Sequence, residues 1–226
     1  NVSFEKTEIT GGGEDEGGNM IQPGEEIVIP ESSPSGDKVT HIKANAFSGR
    51  DQVKSIQIPE TVIFVGEGAF EDCKNLETVN LPKGITGICS YTFSGCEKLK
   101  EITIPDSVKS IDGYAFYNCN SLEEITIPNS VTNIGVSVFS HCNSLEEITI
   151  FNSVLSIDNY AFAYCESLKE ITIPNSVIRI GHDAFRYCIS LQKITIPNSV
   201  TSIGEYAFAH CESLNEITIP DSVTSI

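Results

Sequence analysis

Cysteine is the residue type that could perform the most varied chemistry in this chain of 226 residues, which contains eight cysteines. Cysteines form disulfides, bind metal ions or act as nucleophiles. Seven recur with a step of 23 residues: Cys73, Cys96, Cys119, Cys142, Cys165, Cys188 and Cys211. If each repeat is one layer of a stack, neighbours in this column lie about 5 Å apart, within disulfide reach. No Cys-x-x-Cys or Cys–His ligand spacing occurs, so the pattern favours buried free thiols over disulfides and metal ligands. Cys89 lies outside the column, where other repeats have glycine, and we expect it to be the most exposed cysteine.

The histidines give little support for catalysis. His141 and His210 directly precede column cysteines, at the place where two other repeats have Tyr164 and Tyr187. The four rings predict either a semi-buried stack or an aromatic binding strip on the convex side. A Cys–His nucleophile pair needs a third group to orient the imidazole, and no Asn or Asp is arranged to do so. Nucleophile-elbow, phosphate-loop and zinc-binding motifs are also missing from the sequence. We therefore predict no enzyme and no cofactor.

A third set of polar residues repeats within a short Ile-x-Ile segment. Glutamate precedes the first isoleucine in several repeats, and threonine lies between the two isoleucines. Alternation along a strand directs both side chains away from the core, onto an exposed face. This face is the predicted partner-binding site. Its residues are Glu101, Thr103, Glu124, Thr126, Glu147, Thr149, Glu170 and Thr172.

Stacked glutamates also raise the possibility of a weak calcium site. The candidate ligands are Glu123, Glu124, Glu146 and Glu147, although no Asp-x-Asp loop accompanies them. Successive carboxylates about 5 Å apart repel by roughly 0.9 kcal/mol per pair even in water. Splaying of the side chains and salt screening can offset this repulsion, so a solvated charged face is the alternative.

All these columns belong to one internal repeat. Its clearest marker is a phenylalanine every 23 residues: Phe47, Phe70, Phe93, Phe116, Phe139, Phe162, Phe185 and Phe208. The unit reads Leu-x-x-Ile-x-Ile-Pro-x-Ser-Val-x-x-Ile-Gly-x-x-Ala-Phe-x-x-Cys. Its Ile-x-Ile alternation predicts one short strand, which proline ends. Cys119 follows Ala115 by four residues and Phe116 by three, which predicts a short helical turn. One unit cannot bury its apolar face alone, so the repeats must stack with their strands parallel and in register, as an α/β solenoid.

The Leu-x-x-Ile-x-Ile-Pro and Ile-Gly-x-x-Ala-Phe-x-x-Cys segments resemble the BspA-type leucine-rich repeat. The resemblance covers about residues 39–226. It implies a right-handed leucine-rich-repeat superhelix that is curved, with its sheet on the concave face. It also implies a bacterial cell-surface or secreted protein of the kind discussed as adhesins. One departure is that Pro-x-Ser, as in Pro128 to Ser130, stands where the more familiar leucine-rich repeat has an asparagine ladder.

The two ends differ from the regular units. Residues 1–24 are rich in glycine and acidic residues and predict a flexible acidic leader. Residues 25–226 form the predicted repeat domain, whose N-terminal cap unit covers about 25–47. This unit has a loop-like insertion around Glu31 to Asp37. At the other end the repeat pattern stops in mid-unit, so the array is expected to be truncated there.

The composition excludes several classes of partner. The formal net charge of −17 argues against nucleic-acid binding and against unaided docking onto an anionic membrane. No apolar run approaches the ~20 residues of a membrane-spanning helix, so direct membrane insertion is not expected.

The predicted function is a non-catalytic, extracellular protein-binding or adhesion module of a bacterial cell-surface protein. Its partner would be a surface or matrix protein of a host or neighbouring cell, or a glycan. Two alternatives remain open at this point. One is a structural spacer stalk that presents another domain, and the other is a glycan-binding module.

Overall fold

The computed structural model describes residues 2–4, 25–33 and 36–226, which form sixteen short strands. They are arranged as a parallel β-solenoid in which each 23-residue repeat makes one coil. Most repeats contribute two strands, which form two separate columns along the solenoid, whereas the sequence predicts a single strand per repeat. We call the column built from the Ile-x-Ile segments the first ladder and the column built from the Val-x-x-Ile segments the second ladder.

The first ladder carries the predicted strands. Its members are β2 (Glu25–Val28), β4 (Val53–Gln57), β6 (Thr78–Val79), β9 (Glu124–Ile127), β11 (Glu147–Ile150), β13 (Glu170–Thr172) and β15 (Lys193–Thr195). Hydrogen-bonded neighbours follow the order β2-β4-β6, then β11-β9, then β13-β15. Glu147 pairs with Glu124 and Ile148 with Ile125, so the register is one repeat long, as predicted. Residues 101–104 keep the in–out alternation without strand hydrogen bonding.

The second ladder was not predicted. It consists of β1 (Val2–Phe4), β3 (Val39–Ile42), β5 (Phe64–Val65), β7 (Gly87–Ile88), β8 (Ser110–Ile111), β10 (Asn133–Ile134), β12 (Ser156–Ile157), β14 (Arg179–Ile180) and β16 (Ser202–Ile203). One continuous sheet of six strands runs in the order β7-β8-β10-β12-β14-β16, and a second sheet of three runs in the order β1-β3-β5. The strands from β5 onward in this ladder have two residues each, too few for a visible period-2 pattern, which explains why alternation did not reveal them.

The predicted helical turn is wrong: the described residues contain no helix, and the segment around each phenylalanine is a chain of tight turns. In the coil of Phe116, the amides of Tyr114, Phe116 and Asn118 donate to the following coil over 2.9–3.0 Å. The amides between them donate three residues back within their own coil. Tyr114 and Asn118 have φ values of 61° and 59°, a left-handed conformation that a right-handed helix cannot contain. Helix-like spacing of apolar residues therefore arises here without a helix.

The interior is filled by columns of identical side chains. Consecutive phenylalanine rings from Phe47 to Phe208 stack with centroids 5.3–5.6 Å apart. The rings from Phe70 to Phe185 are completely buried. Offset stacking of this kind contributes about 0.5–1.5 kcal/mol per pair beyond the area that is buried. The core is thus continuous along the array.

The structure describes only part of the N-terminal region for which the sequence predicts a leader and a cap unit. Most of the predicted leader lies outside the described residues, and its described part, Val2–Phe4, pairs with β3. In the cap unit, the loop-like insertion folds back on itself. Ser32 and Lys38 form an antiparallel bridge across it.

A glycine column sets how closely the coils approach. A Cβ atom added at Gly181 would lie 2.5 Å from the backbone nitrogen of Asn159 in the preceding coil. Atoms do not approach so closely, so the coils would have to separate. Asp112 occupies the equivalent place in its own coil, with its side chain exposed.

We predict that Gly181→Ala destabilises the array by about 1–3 kcal/mol, because the new methyl group overpacks the coil contact. Asp112→Ala is the matched control and should change the free energy of unfolding by less than about 0.5 kcal/mol, since a Cβ is already present. Urea denaturation followed by circular dichroism measures both. Equal stability of the two variants would show that the glycine column does not set the coil spacing.

Candidate functional site

The eight predicted binding residues lie together on one surface, which we call the strand face. It comprises Glu101, Thr103, Glu124, Thr126, Glu147, Thr149, Glu170 and Thr172, all of which are exposed. Glu124 is opposite Glu147 and Thr126 is opposite Thr149 in the parallel pairing of β9 and β11. Glu170 faces Lys193 rather than another acid. The strand face is therefore a set of side-chain columns presented by a buried isoleucine layer.

Most charge on this surface is unbalanced. Glu146, at the entry of β11, forms an ion pair with Lys169 of the next coil at 2.6 Å. Among the described residues, Glu101, Glu124, Glu147 and Glu170 have no such ion-pair partner. An exposed ion pair contributes only about 0–1 kcal/mol, so this one does little to relieve the repulsion along the column.

The candidate calcium ligands are not assembled into a site. No group of three or more His, Cys, Asp or Glu side chains in the described part of the chain is arranged to hold a metal ion, and this covers Glu123, Glu124, Glu146 and Glu147. The pairing places equivalent residues one strand apart and in parallel. Such columns spread the carboxylates along a line, whereas calcium coordination requires several oxygen ligands to converge on one point.

Two grooves run across the strand face. One has a volume of about 650 Å³ and is bordered almost entirely by acidic side chains. They are Glu77, Glu101, Glu123, Glu124, Glu146 and Glu147, with Lys100 as the one cation. The other groove has a volume of about 480 Å³ and lies farther along the strands, where Thr103, Thr126 and Thr149 meet the ring of Phe151.

A third groove was missed by the sequence analysis. It has a volume of about 760 Å³ and lies between β2, β4 and β6. Asn80 borders it and bonds the backbone of Ile58 twice, accepting from its amide at 2.8 Å and donating to its carbonyl at 2.7 Å. Asparagine here replaces the threonine of most later coils, and that substitution is the one signal that could have marked the place.

The cysteine column is structural. All eight cysteines are free, and only Cys89 and Cys211 are partly exposed, which confirms the predicted free thiols. Each column thiol donates to the carbonyl of the phenylalanine in the preceding coil, for example Cys119 to Phe93 at 3.1 Å. Burial raises the pKa of Cys73 and of Cys142 to about 12. A thiol that stays protonated is a poor nucleophile and metal ligand. Cys211, the last member of the column, differs from these two, because a hydrogen bond from the thiol of Cys188 lowers its pKa.

The histidine and tyrosine stripe is a stack. The ring centroids of His141, Tyr164, Tyr187 and His210 are 4.3, 4.7 and 4.3 Å apart, with nearly parallel planes. Burial, partly opposed by Glu166, lowers the pKa of His141. Because neighbouring rings cover each other's faces, only ring edges are open to a ligand along the stripe. Of the two predictions for these rings, the structure therefore supports the stack.

The sequence pattern of the family described as BspA type Leucine rich repeat region matches residues 40–169 and 156–226, in six copies. The chain belongs to this family. The solenoid, the repeat length and the phenylalanine and cysteine columns are therefore the BspA-type repeat as this chain builds it.

Solved structures of bacterial leucine-rich repeat proteins have the same fold. A leucine-rich repeat protein from Bacteroides ovatus is 39% identical with a TM-score of 0.84, covering 88% of this chain and 52% of its own. This BspA-type chain thus spans about half the length of that protein. A leucine rich cell surface protein from Faecalibacterium prausnitzii is 27% identical with a TM-score of 0.60, covering 90% and 78% respectively. The T. pallidum leucine-rich repeat protein is 29% identical with a TM-score of 0.63, covering 86% and 79%.

No curated protein matches this BspA-type chain. Nowhere in the part of the chain that the structure describes is there a helix of the length and apolar character that crossing a membrane requires.

The buried thiols predict a stability that falls in alkaline solution. Since the folded pKa of Cys142 is raised from 9.0 to about 12, the folded state holds a proton that the unfolded state releases above pH 9. Stability is therefore complete below pH 9 and is lost as the pH rises towards 12, by about 1.4 kcal/mol per pH unit for each such thiol. Cys142→Ala should make this decline shallower by about 1.4 kcal/mol per pH unit, even though the variant is less stable than the parent protein at pH 7.

Urea titrations between pH 7 and 10.5 under a reducing agent would measure the decline. Cys89→Ala, which removes a half-buried thiol, is the control and should alter the slope less. If Cys142→Ala leaves the slope of the parent protein unchanged, the thiol is not held protonated by burial.

Proposed function

We propose that this chain is a non-catalytic, extracellular protein-binding module of a bacterial surface protein, and that it adheres to its partner through the strand face. The observation that carries the proposal is the presentation of exposed Glu and Thr columns over four consecutive coils of a continuous apolar core. The four glutamates have no ion-pair partner among the described residues. Such a surface offers many weak polar contacts on a rigid support.

Rigidity favours binding by a surface of this kind. Most isoleucines under the strand face, such as Ile125 and Ile127, are buried. The six-stranded sheet of the second ladder connects the same coils elsewhere in each repeat. A backbone that is ordered before binding loses little further conformational entropy on association, so the entropic cost is confined to the exposed side chains. Affinity can then come from contacts that are individually weak.

Charge indicates the kind of partner. The chain carries a net charge of −17, and the strand face adds rows of glutamate with few neighbouring cations. Complementary charge accelerates association and disfavours acidic competitors. The partner is therefore a surface or matrix protein with a basic binding patch.

Two kinds of observation support an extracellular, non-catalytic role. The Faecalibacterium prausnitzii protein of the same fold is described as a cell surface protein. The strand face also repeats glutamate and threonine over four consecutive coils, from Glu101 to Thr172, whereas a catalytic site needs several unlike groups to converge on one point. Repeat proteins of this fold are typically non-catalytic, in keeping with that pattern.

A binding screen of the purified chain against matrix proteins and glycans tests the proposal. The charge-reversed double variant Glu124→Lys/Glu147→Lys should abolish binding to any protein that the parent chain captures. Reversal of two exposed charges on another face, Glu67→Lys/Glu205→Lys, changes the net charge equally and serves as the control. Binding that survives the first substitution, or is lost equally with the second, would remove the strand face from the account.

A further inference from the structure

Phe151 is the most unusual residue on the strand face. It occupies the place where a strand of the first ladder ends, and the seven other regular coils have proline there, including Pro128 and Pro174. Its side chain is 44% exposed and stacks on no other ring among the described residues. An apolar ring left in water at this place gives up part of the stabilisation that burial would provide. Packing of the fold therefore does not explain it.

The coil that carries Phe151 is also less tightly packed. Ile148 and Ile150 are only partly buried, whereas Ile125 and Ile127 in the preceding coil are buried. β11 hydrogen-bonds to β9, but β11 and β13 belong to separate sheets of the first ladder. The strand face is thus interrupted on the side of β11 that faces away from β9.

The groove beside Phe151 combines this ring with negative charge. Its volume is about 480 Å³, and it extends over three successive coils. Carboxylates of Glu101, Asp106, Glu124 and Glu147 border it, and no Lys or Arg does. None of the four carboxylates has an ion-pair partner in the described part of the chain. The groove therefore offers an aromatic surface and several free hydrogen-bond acceptors within one space.

Guanidinium is the group that fits both features. Its planar cation stacks on an aromatic ring, and its fork of N–H groups bonds a carboxylate through two oxygens. The three methylene groups of an arginine side chain can also cover the exposed apolar edge of the ring. An ammonium group would satisfy the charge but lacks the planar face, and an anionic ligand would be repelled.

We propose that this groove binds an arginine side chain from an extended, cationic segment of the partner protein. The proposal rests on the protein-binding function of the strand face and specifies the partner residue that the face recognises. Phe151 stacks on the guanidinium of this arginine, and Glu124 and Glu147, about 13 Å away at the start of the strands, accept the N–H groups of a further arginine of the same segment. Threonines Thr126 and Thr149 lie between them and can bond the backbone of the bound segment.

Fluorescence anisotropy with a labelled Arg-Thr-Arg-Thr-Arg peptide tests the proposal directly. The comparison peptide has citrulline in place of arginine, which keeps the shape and removes the charge. Phe151→Pro restores the residue of the other coils and leaves the net charge unchanged, so any loss of binding is not a general charge effect. We expect it to weaken binding of the arginine peptide roughly threefold, with no measurable binding of the citrulline peptide.

Two further variants keep the result interpretable. Phe151→Leu retains an apolar side chain without the ring, and it decides the matter if Phe151→Pro fails to fold. Phe64→Leu removes another exposed phenylalanine, which lies on the second ladder, and should bind the peptide as the parent chain does. Parent-like binding by both Phe151 variants, or equal weakening by Phe64→Leu, would overturn the proposal. Equal affinity for the citrulline peptide would also overturn it.

The outcomes separate this inference from the proposed function. If Glu124→Lys/Glu147→Lys abolishes binding of a captured protein while Phe151→Pro leaves it unchanged, the strand face stands and the arginine groove is refuted. If the captured protein binds the charge-reversed variant normally, the proposed function itself has failed.

Discussion

Every second amide in the turn that follows the second ladder donates its hydrogen bond to the next coil instead of to its own. In the coil of Phe116 these bonds run from Tyr114 to Val136, from Phe116 to Val138 and from Asn118 to Ser140. The intervening amides bond locally, so backbone groups in the turn are satisfied only when coils stack. A single repeat has no stable form of its own, and stacking and folding become one process.

The side-chain columns follow from this backbone arrangement. The carbonyl of Phe93 accepts from the amide of Cys96 in its own coil and from the thiol of Cys119 in the next coil, and the phenylalanine rings of these coils stack. At Gly181 the coil backbones come so close that an added Cβ would lie 2.5 Å from the backbone nitrogen of Asn159. The core and the turns thus constrain most positions of the repeat. The outward positions of the first ladder are free to vary, and the strand face and Phe151 lie there.

Sequence reasoning succeeded where a residue type reports burial directly. The 23-residue step, the inward Ile125 and Ile127, the outward Glu124 and Thr126 and the free thiols all agree with the structure. It failed in the turns because apolar residues spaced three to four apart have the same pattern in a helix and in successive tight turns. Tyrosine at position 114 gives no sequence signal of the left-handed conformation that it adopts. Only in another coil does a glycine, Gly68, occupy the equivalent place and indicate it. The role of the exposed residues also remained open, since repetition for stacking and repetition for binding produce the same columns.

The central claim is that the turn amides bond between coils, and nuclear magnetic resonance can observe this directly. Scalar coupling across a hydrogen bond links the amide nitrogen of the donor to the carbonyl carbon of the acceptor. In deuterated protein labelled with ¹⁵N and ¹³C, we predict a correlation from the amide of Phe116 to the carbonyl of Val138 in the next coil. A correlation from Phe116 to Asp112, four residues earlier in the same coil, would show a helical turn and contradict the account.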